Sequence, residues 1–250
     1  MRIFVTGASG WIGSAVVPML LERGHEVVGL ARSDQAAEKL QGLGAAVLRG
    51  DLDDVKTLRS GAGESDAVIH LAFRHDLLTG PDGFARATAL DRQAIDTMGQ
   101  VLVGTGRPFV IASGTPAIPG KVAVESDQPG SEGPAGGRGT NARAVIELAE
   151  RGVRSSVVRL PRSVHGEGDP GFMRRLIATA REGRFRLRRR RFQPLAGRAR
   201  ARCRPPILPR TGEGSGRIGA ARGRGRRGGD SRYRGGDRPQ AGPASKVGAA

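Results

Sequence analysis

Gly7, Gly10 and Gly13 fall three residues apart in Val5-Thr6-Gly7-Ala8-Ser9-Gly10-Trp11-Ile12-Gly13, between a short apolar run and a stretch of helical periodicity. That spacing suits a pyrophosphate. The first glycine permits a tight turn, the second lets the backbone approach the phosphates, and the third lets a helix pack closely on a strand. The helix start adds free N–H groups and a partial positive charge. Farther along, Arg32 and Ser33 stand where a dinucleotide-binding unit usually places an acid for the ribose hydroxyls. A guanidinium there hydrogen-bonds a 2′-phosphate in fork geometry, so NADP(H) is expected over NAD(H). Asp51 and Leu52 suit an adenine amino group and ring. Ser113 and Thr115 end another apolar run. The Ser113 hydroxyl suits substrate positioning or proton relay, and equally a turn or helix cap.

The elements that must carry these residues alternate. Met1 to Val5 reads as a strand. Ser14 to Arg23 reads as a helix, with Val16, Val17, Leu20 and Leu21 at helical spacing and Gly24 as its stop. Pro18 within it should kink it or lie near its first turn. His25 to Ala31 reads as a buried strand, which completes a βαβ unit. Ala45 to Arg49, Ala67 to Ala72 and Pro108 to Ala112 follow at α/β intervals. The expected fold class is α/β, a Rossmann-type doubly wound parallel sheet, whose ligands sit at the carboxyl ends of the strands. Gly120 to Gly139 is rich in Gly, Pro and Ser and reads as a loop or cleft lid.

Residues 1 to about 183 resemble the extended and atypical short-chain dehydrogenase/reductases, in particular the NAD(P)-dependent epimerase/dehydratase group. The blocks that carry the resemblance are Thr6 to Gly13, Gly50-Asp51-Leu52, Val68-Ile69-His70-Leu71-Ala72, Ser113-Gly114-Thr115, and Val158 to Pro161 with Val164 to Asp169. The resemblance implies nicotinamide hydride chemistry on a small carbonyl, alcohol or sugar-like substrate, and a smaller C-terminal substrate lobe. It implies cofactor contacts from Ser9, Trp11, Ile12, Leu71 and Ala72 beside the residues already named. It places Ser113 at the reacting oxygen and Thr115 and His165 toward the substrate.

The chain also departs from that family. The usual acid/base pair is a tyrosine with a lysine four residues later, one helical turn apart, where the ammonium lowers the phenol pKa. The one tyrosine here is Tyr233, far out of place. The corresponding helix, expected over Asn141 to Arg151 and just before it, offers Arg138, Gly139, Ala142 and Arg143. None replaces a phenol as proton donor. Arg143 stands either as heir to the lysine's electrostatic role or as an ordinary exposed helix arginine. A sensor that binds NADP(H) without turnover is therefore the alternative to an enzyme.

Composition breaks near residue 183. The chain carries 41 Lys+Arg against 24 Asp+Glu, net +17, and all of that excess lies in residues 184–250, where 19 arginines and one lysine face Glu213, Asp230 and Asp237. No apolar period persists there, so a substrate lobe would be truncated or disordered from about Arg184. Two explanations stand. GC-rich coding DNA read out of frame gives such an Arg/Gly/Pro/Ala stretch. Read from the second base of the Gly183 codon, one permitted codon choice spells Gly-Val-Ser-Ala-Tyr-Val-Gly-Asp-Gly-Phe-Asn-Arg-Trp-Pro-Ala-Val-His-Ala-Leu-Asp-Ala-Ala-Arg, which is similar to the family's own continuation. Alternatively, Arg222 to Gly229 and Arg232 to Gly236 form a nucleic-acid tail, whose arginines would bind polyanions by charge alone.

Other bounds are short. Cys203 is the single cysteine, so internal disulfides are excluded. No signal segment or membrane-length apolar run is read, and the cytoplasm is the default expectation. His25, His70, His75 and His165 lack metal-ligand spacing, and no metal site is expected.

Overall fold

The computed structural model describes residues 1–183, apart from 81, 117, 119, 129, 131–135, 162 and 170, together with the segment 197–199. Strands and helices alternate through it: β1 (Arg2–Thr6), α1 (Gly13–Glu22), β2 (Glu26–Ala31), α2 (Asp34–Gly42), β3 (Ala46–Arg49), α3 (Val55–Gly63) and β4 (Ala67–His70). After a 3-10 turn at His75–Thr79 come α4 (Gly83–Leu102), β5 (Pro108–Gly114), α5 (Gly136–Glu147) and β6 (Arg154–Leu160). The last elements are β7 (Ser163–His165), α6 (Phe172–Arg181) and β8 (Gly197–Ala199). The first six strands form one parallel sheet in the order β3-β2-β1-β4-β5-β6. This is the Rossmann-type doubly wound sheet that the alternation predicts. Its order reverses between β1 and β4, the place where such sheets open a ligand crevice.

The continuous apolar runs in the strands follow from helices on both faces. In β1, successive side chains point to opposite sides. Phe4 packs with Leu58, Met98, Leu102 and Phe109 on one side. Ile3 and Val5 pack with Val16, Val17, Leu20 and Leu40 on the other. Pro18 lies inside α1.

The boundary of α5 differs from the sequence expectation. The helix begins at Gly136, so Gly136 to Gly139 are its first turn and not loop, and a 3-10 turn covers Leu148–Arg151. Glycine is a poor helix former, but packing overrides that preference here. A Cβ on Gly137 would lie 2.5 Å from Thr88 Cγ2, so the close approach of α5 to α4 needs a bare backbone.

Beyond residue 183 the described segment is β8, which pairs in parallel with β7. The rest of the arginine-rich stretch, with Tyr233 and Cys203, lies outside the described residues. Among the described residues no helix is long and apolar enough to cross a membrane.

Candidate functional site

The glycine turn joins β1 to α1 at the reversal of strand order. Gly7 has φ 68°, a left-handed conformation open to glycine. A Cβ there would lie 2.6 Å from the Ala72 nitrogen, which shows how closely Leu71-Ala72 passes the turn. A Cβ on Gly13 would collide with the carbonyl oxygens of Gly7 and Ala8. Gly10 N–H closes the turn onto Gly7 O at 3.0 Å. Helix α2 is capped by Ser33 and α3 by Asp54, whereas no side chain caps α1. Ser14 and Val16 N–H already bond Gly10 O and Ile12 O at 2.9 and 3.1 Å, so what fits a pyrophosphate is the bare glycine cradle at the positive end of the helix. Lys39 reaches from α2 to donate to Ser9 O at 2.7 Å, which brings a cation to the turn. Trp11 Nε1 donates to Val164 O at 3.1 Å and ties the turn to β7, next to the exposed His165. Ile12 is half-buried behind the turn.

The ends of β2 and β3 gather charge. Arg32 is half exposed, and its guanidinium lies 3.2 Å from Asp76 Oδ2. Ser33 Oγ accepts from Ala36 N at 3.2 Å as the α2 cap, which leaves its O–H as a donor. Arg49 bonds Ser33 O and Asp34, both at 2.7 Å. Asp51 accepts from Leu52 N at 2.7 Å and pairs with Arg74 at 3.1 Å. The Leu52 side chain is buried in the core with Leu30 and Leu58. Arg74 also grips both oxygens of Asp76, with Nε–Oδ1 and NH2–Oδ2 each 2.9 Å. The Arg74 hydrogen bonds, outweighing the burial penalty and aided by the weaker contribution of Arg32, hold the Asp76 carboxyl far below the ordinary range. Arg32, Asp76, Arg74 and Asp51 therefore form a row of alternating charges.

Ser113 lies near the end of β5 at 7% exposure, opposite Arg159 of β6. Thr115 bonds Leu160 O through both its N–H and its hydroxyl, at 2.9 and 3.0 Å. Beside this strand end stands Arg138, from the first turn of α5. It donates to Ala112 O at 2.6 Å and to Asp91 Oδ1 at 3.2 Å, and lies over the Phe73 ring at 4.4 Å from the centroid. Asp91 is buried and also meets Asn141 Nδ2 at 2.6 Å and His70 Nε2 at 3.2 Å. His70 Nδ1 shares a 2.6 Å hydrogen bond with Thr6 Oγ1. A polar chain thus runs from the glycine turn to the end of β5 through the core. Burial alone would raise the Asp91 carboxyl, but the His70 hydrogen bond, the charges of His70 and Arg138, and the Asn141 bond outweigh it and hold it low.

Arg143 is exposed on α5, whereas Arg138, five residues earlier, is the arginine at the serine strand. A Cβ on Gly139 would run into the Gly130 carbonyl, so the loop before α5 fills the space a larger side chain would need. Arg159 pins that loop by donating to Val124 O and Asp127 O at 3.1 and 2.6 Å. Sequence reasoning left Arg138, Asp91, Asn141, Lys39, Arg74 and Asp76 unassigned. For Asp91 a signal existed. It shares the helical period of Ala87, Ala94, Ile95 and Met98, which puts a carboxylate on an apolar face.

Residues 3–133 match the NAD dependent epimerase/dehydratase family. An uncharacterized protein of Saccharomyces cerevisiae is 44% identical over 184 residues, covering 72% of this chain and 60% of that protein. The 4-hydroxy-2-methyl-3-oxo-4-farnesyl-3,4-dihydroquinoline-1-oxide ketoreductase of Stigmatella aurantiaca is 34% identical over 195 residues, 74% of this chain and 57% of that one. A short-chain dehydrogenase/reductase superfamily protein from Agrobacterium tumefaciens, solved with bound NAD, superposes with a TM-score of 0.56 at 22% identity. That match covers 73% of this chain and 59% of the other. The chain spans about three-fifths of the length of the curated relatives it matches.

Proposed function

The chain belongs to the NAD dependent epimerase/dehydratase family, and from that premise we propose that it binds NADP(H) and reduces a small carbonyl compound. The observation that carries this reading is a single carboxyl edge of the sheet. It holds the uncapped α1 turn, Arg32 after β2, and Ser113 with Arg138 at the end of β5. Gly7, Ser9, Gly10, Trp11, Ile12 and Gly13 hold the pyrophosphate. Arg32 and Ser33 face the 2′-phosphate, Asp51 with the Leu52 segment faces the adenine, and Leu71 and Ala72 line a ribose.

A nicotinamide held by these residues would supply the hydride. Ser113 hydrogen-bonds the reacting oxygen, Thr115 and His165 face the substrate, and Arg138 offsets the negative charge that develops on that oxygen. Arg143 is the more distant cation. A guanidinium neither takes nor gives a proton in a protein, so Arg138 acts by charge alone, and the proton that completes reduction would come from water, leaving hydroxide to solvent. The similarity to a named ketoreductase favours a reductase over an epimerase or dehydratase. Residues 184–250 are read as the family's substrate lobe out of frame. The matched shares of 72% and 74% are close to the share that residues 1–183 make of the chain.

The test is NADPH binding followed by NADPH oxidation with a panel of aldehydes and ketones. Turnover that Ser113→Ala abolishes while binding persists supports the reductase. The closure of position 139 by Gly130 favours a second reading, a nucleotide sensor, and binding with no turnover on any carbonyl is its signature.

A further inference from the structure

We infer that Arg32, Arg74 and Asp76 form an anion seat that Asp76 occupies in the free protein, and that the cofactor's 2′-phosphate binds by displacing this carboxylate. The inference rests on the NADP(H) reading and names two residues, Arg74 and Asp76, as determinants of nucleotide choice.

Three N–H groups already converge on one carboxylate. Arg74 holds it by two points, Nε–Oδ1 and NH2–Oδ2 at 2.9 Å, and Arg32 NH1 reaches Oδ2 at 3.2 Å. A phosphomonoester accepts the same donors through three oxygens and carries more charge. Arg74 is the better-built half of the seat. Its side chain is 19% exposed against 50% for Arg32, and Asp51 steadies its NH1 at 3.1 Å. Arg32 alone, half in water, would discriminate weakly between the two nucleotides.

Charge balance decides whether Asp76 stays. Arg32 and Arg74 against Asp51 and Asp76 make a neutral row, with Asp53 adding negative charge from nearby. A phosphate dianion placed beside a retained Asp76 meets no net positive charge and a carboxylate at close range. With Asp76 swung away, both guanidiniums face the phosphate and Arg74 keeps its hold on Asp51. Asp76 is suited to move. It lies in the first turn of the short surface 3-10 turn His75–Thr79 and is 43% exposed. NADH lacks the 2′-phosphate and has no cause to displace it.

The experiment is calorimetric titration of the full chain and its variants with NADPH and NADH. Asp76→Asn removes the competing charge and should tighten NADPH by about tenfold, leaving NADH within about twofold. Arg74→Ala should weaken NADPH by about tenfold or more and NADH less. NADH binding in each variant reports an intact glycine turn. If wild type prefers NADPH through Arg32, yet Asp76→Asn leaves its affinity unchanged, the displaced carboxylate is wrong and the NADP(H) reading survives. If wild type binds the two nucleotides equally and Arg32→Ala changes neither, the NADP(H) reading fails and the seat falls with it.

Discussion

Asp91 shows how much one side chain is asked to do. It is 3% exposed and answers His70, Arg138 and Asn141 at once. Asp91→Ala leaves a buried cluster of donors without an acceptor and should cost about 3 kcal/mol, read from the urea midpoint. Asp91→Asn should cost less but still release Arg138 from one of its anchors, which lowers turnover with NADPH affinity little changed. The pH dependence follows from the sign of the shift. Its folded-state pKa lies below the ordinary value, so the contribution to stability is full above the unfolded pKa and is lost as pH falls through the folded one. Urea midpoints of wild type should fall on the acid side of about pH 4, and Asp91→Asn should flatten that fall. An unchanged slope would show that other carboxylates govern the acid limb.

At the level of elements, the first half was legible because its local signals agree. The glycine triplet, the stop at Gly24, and the apolar runs over β1, β2 and β4 all point to one βαβ alternation, and the sheet order confirms it. The start of α5 was not legible. Its glycines argue against a helix, and the reason they are tolerated is a neighbour, Thr88 of α4, distant in sequence. The site divides in the same way. Backbone features could be placed from spacing, whereas the Arg74–Asp51 and Arg138–Asp91 pairs join residues 23 and 47 apart, beyond any local period. The loop against Gly139 leads to a prediction. Gly139→Tyr, which restores a phenol near the family position, should fail to raise turnover, because the side chain must displace the Gly130 carbonyl. It should also cost about 1–3 kcal/mol from overpacking. A rise in NADPH oxidation would show that the loop yields and the acid/base position is still usable.

Across the whole molecule, two populations of residues meet near position 183. The first 183 residues balance their charges and build a layered sheet with two apolar clusters. Residues 184–250 carry the entire net charge of +17. Between them stands α6, whose Ile177 is 49% exposed. The proposed out-of-frame reading has a tyrosine, a tryptophan-proline step and acids in place of arginines. On that reading, sequencing the source DNA across the codons for Met173 to Pro209 should reveal a one-base gain or loss near the Gly183 codon that joins the preceding residues to that alternative text. The corrected chain should melt cooperatively at a higher temperature than the present one. It should also lose affinity for RNA and other polyanions at low salt, because that affinity belongs to the arginines alone. Carbonyl reduction, if present in either form, should be greater in the corrected chain, since the substrate side of the cleft is then complete. Should the codons stand as read and no frame continue the pattern, the arginine-rich stretch is authentic. Salt-dependent nucleic-acid binding then becomes the property to measure, beside a nucleotide site built for sensing.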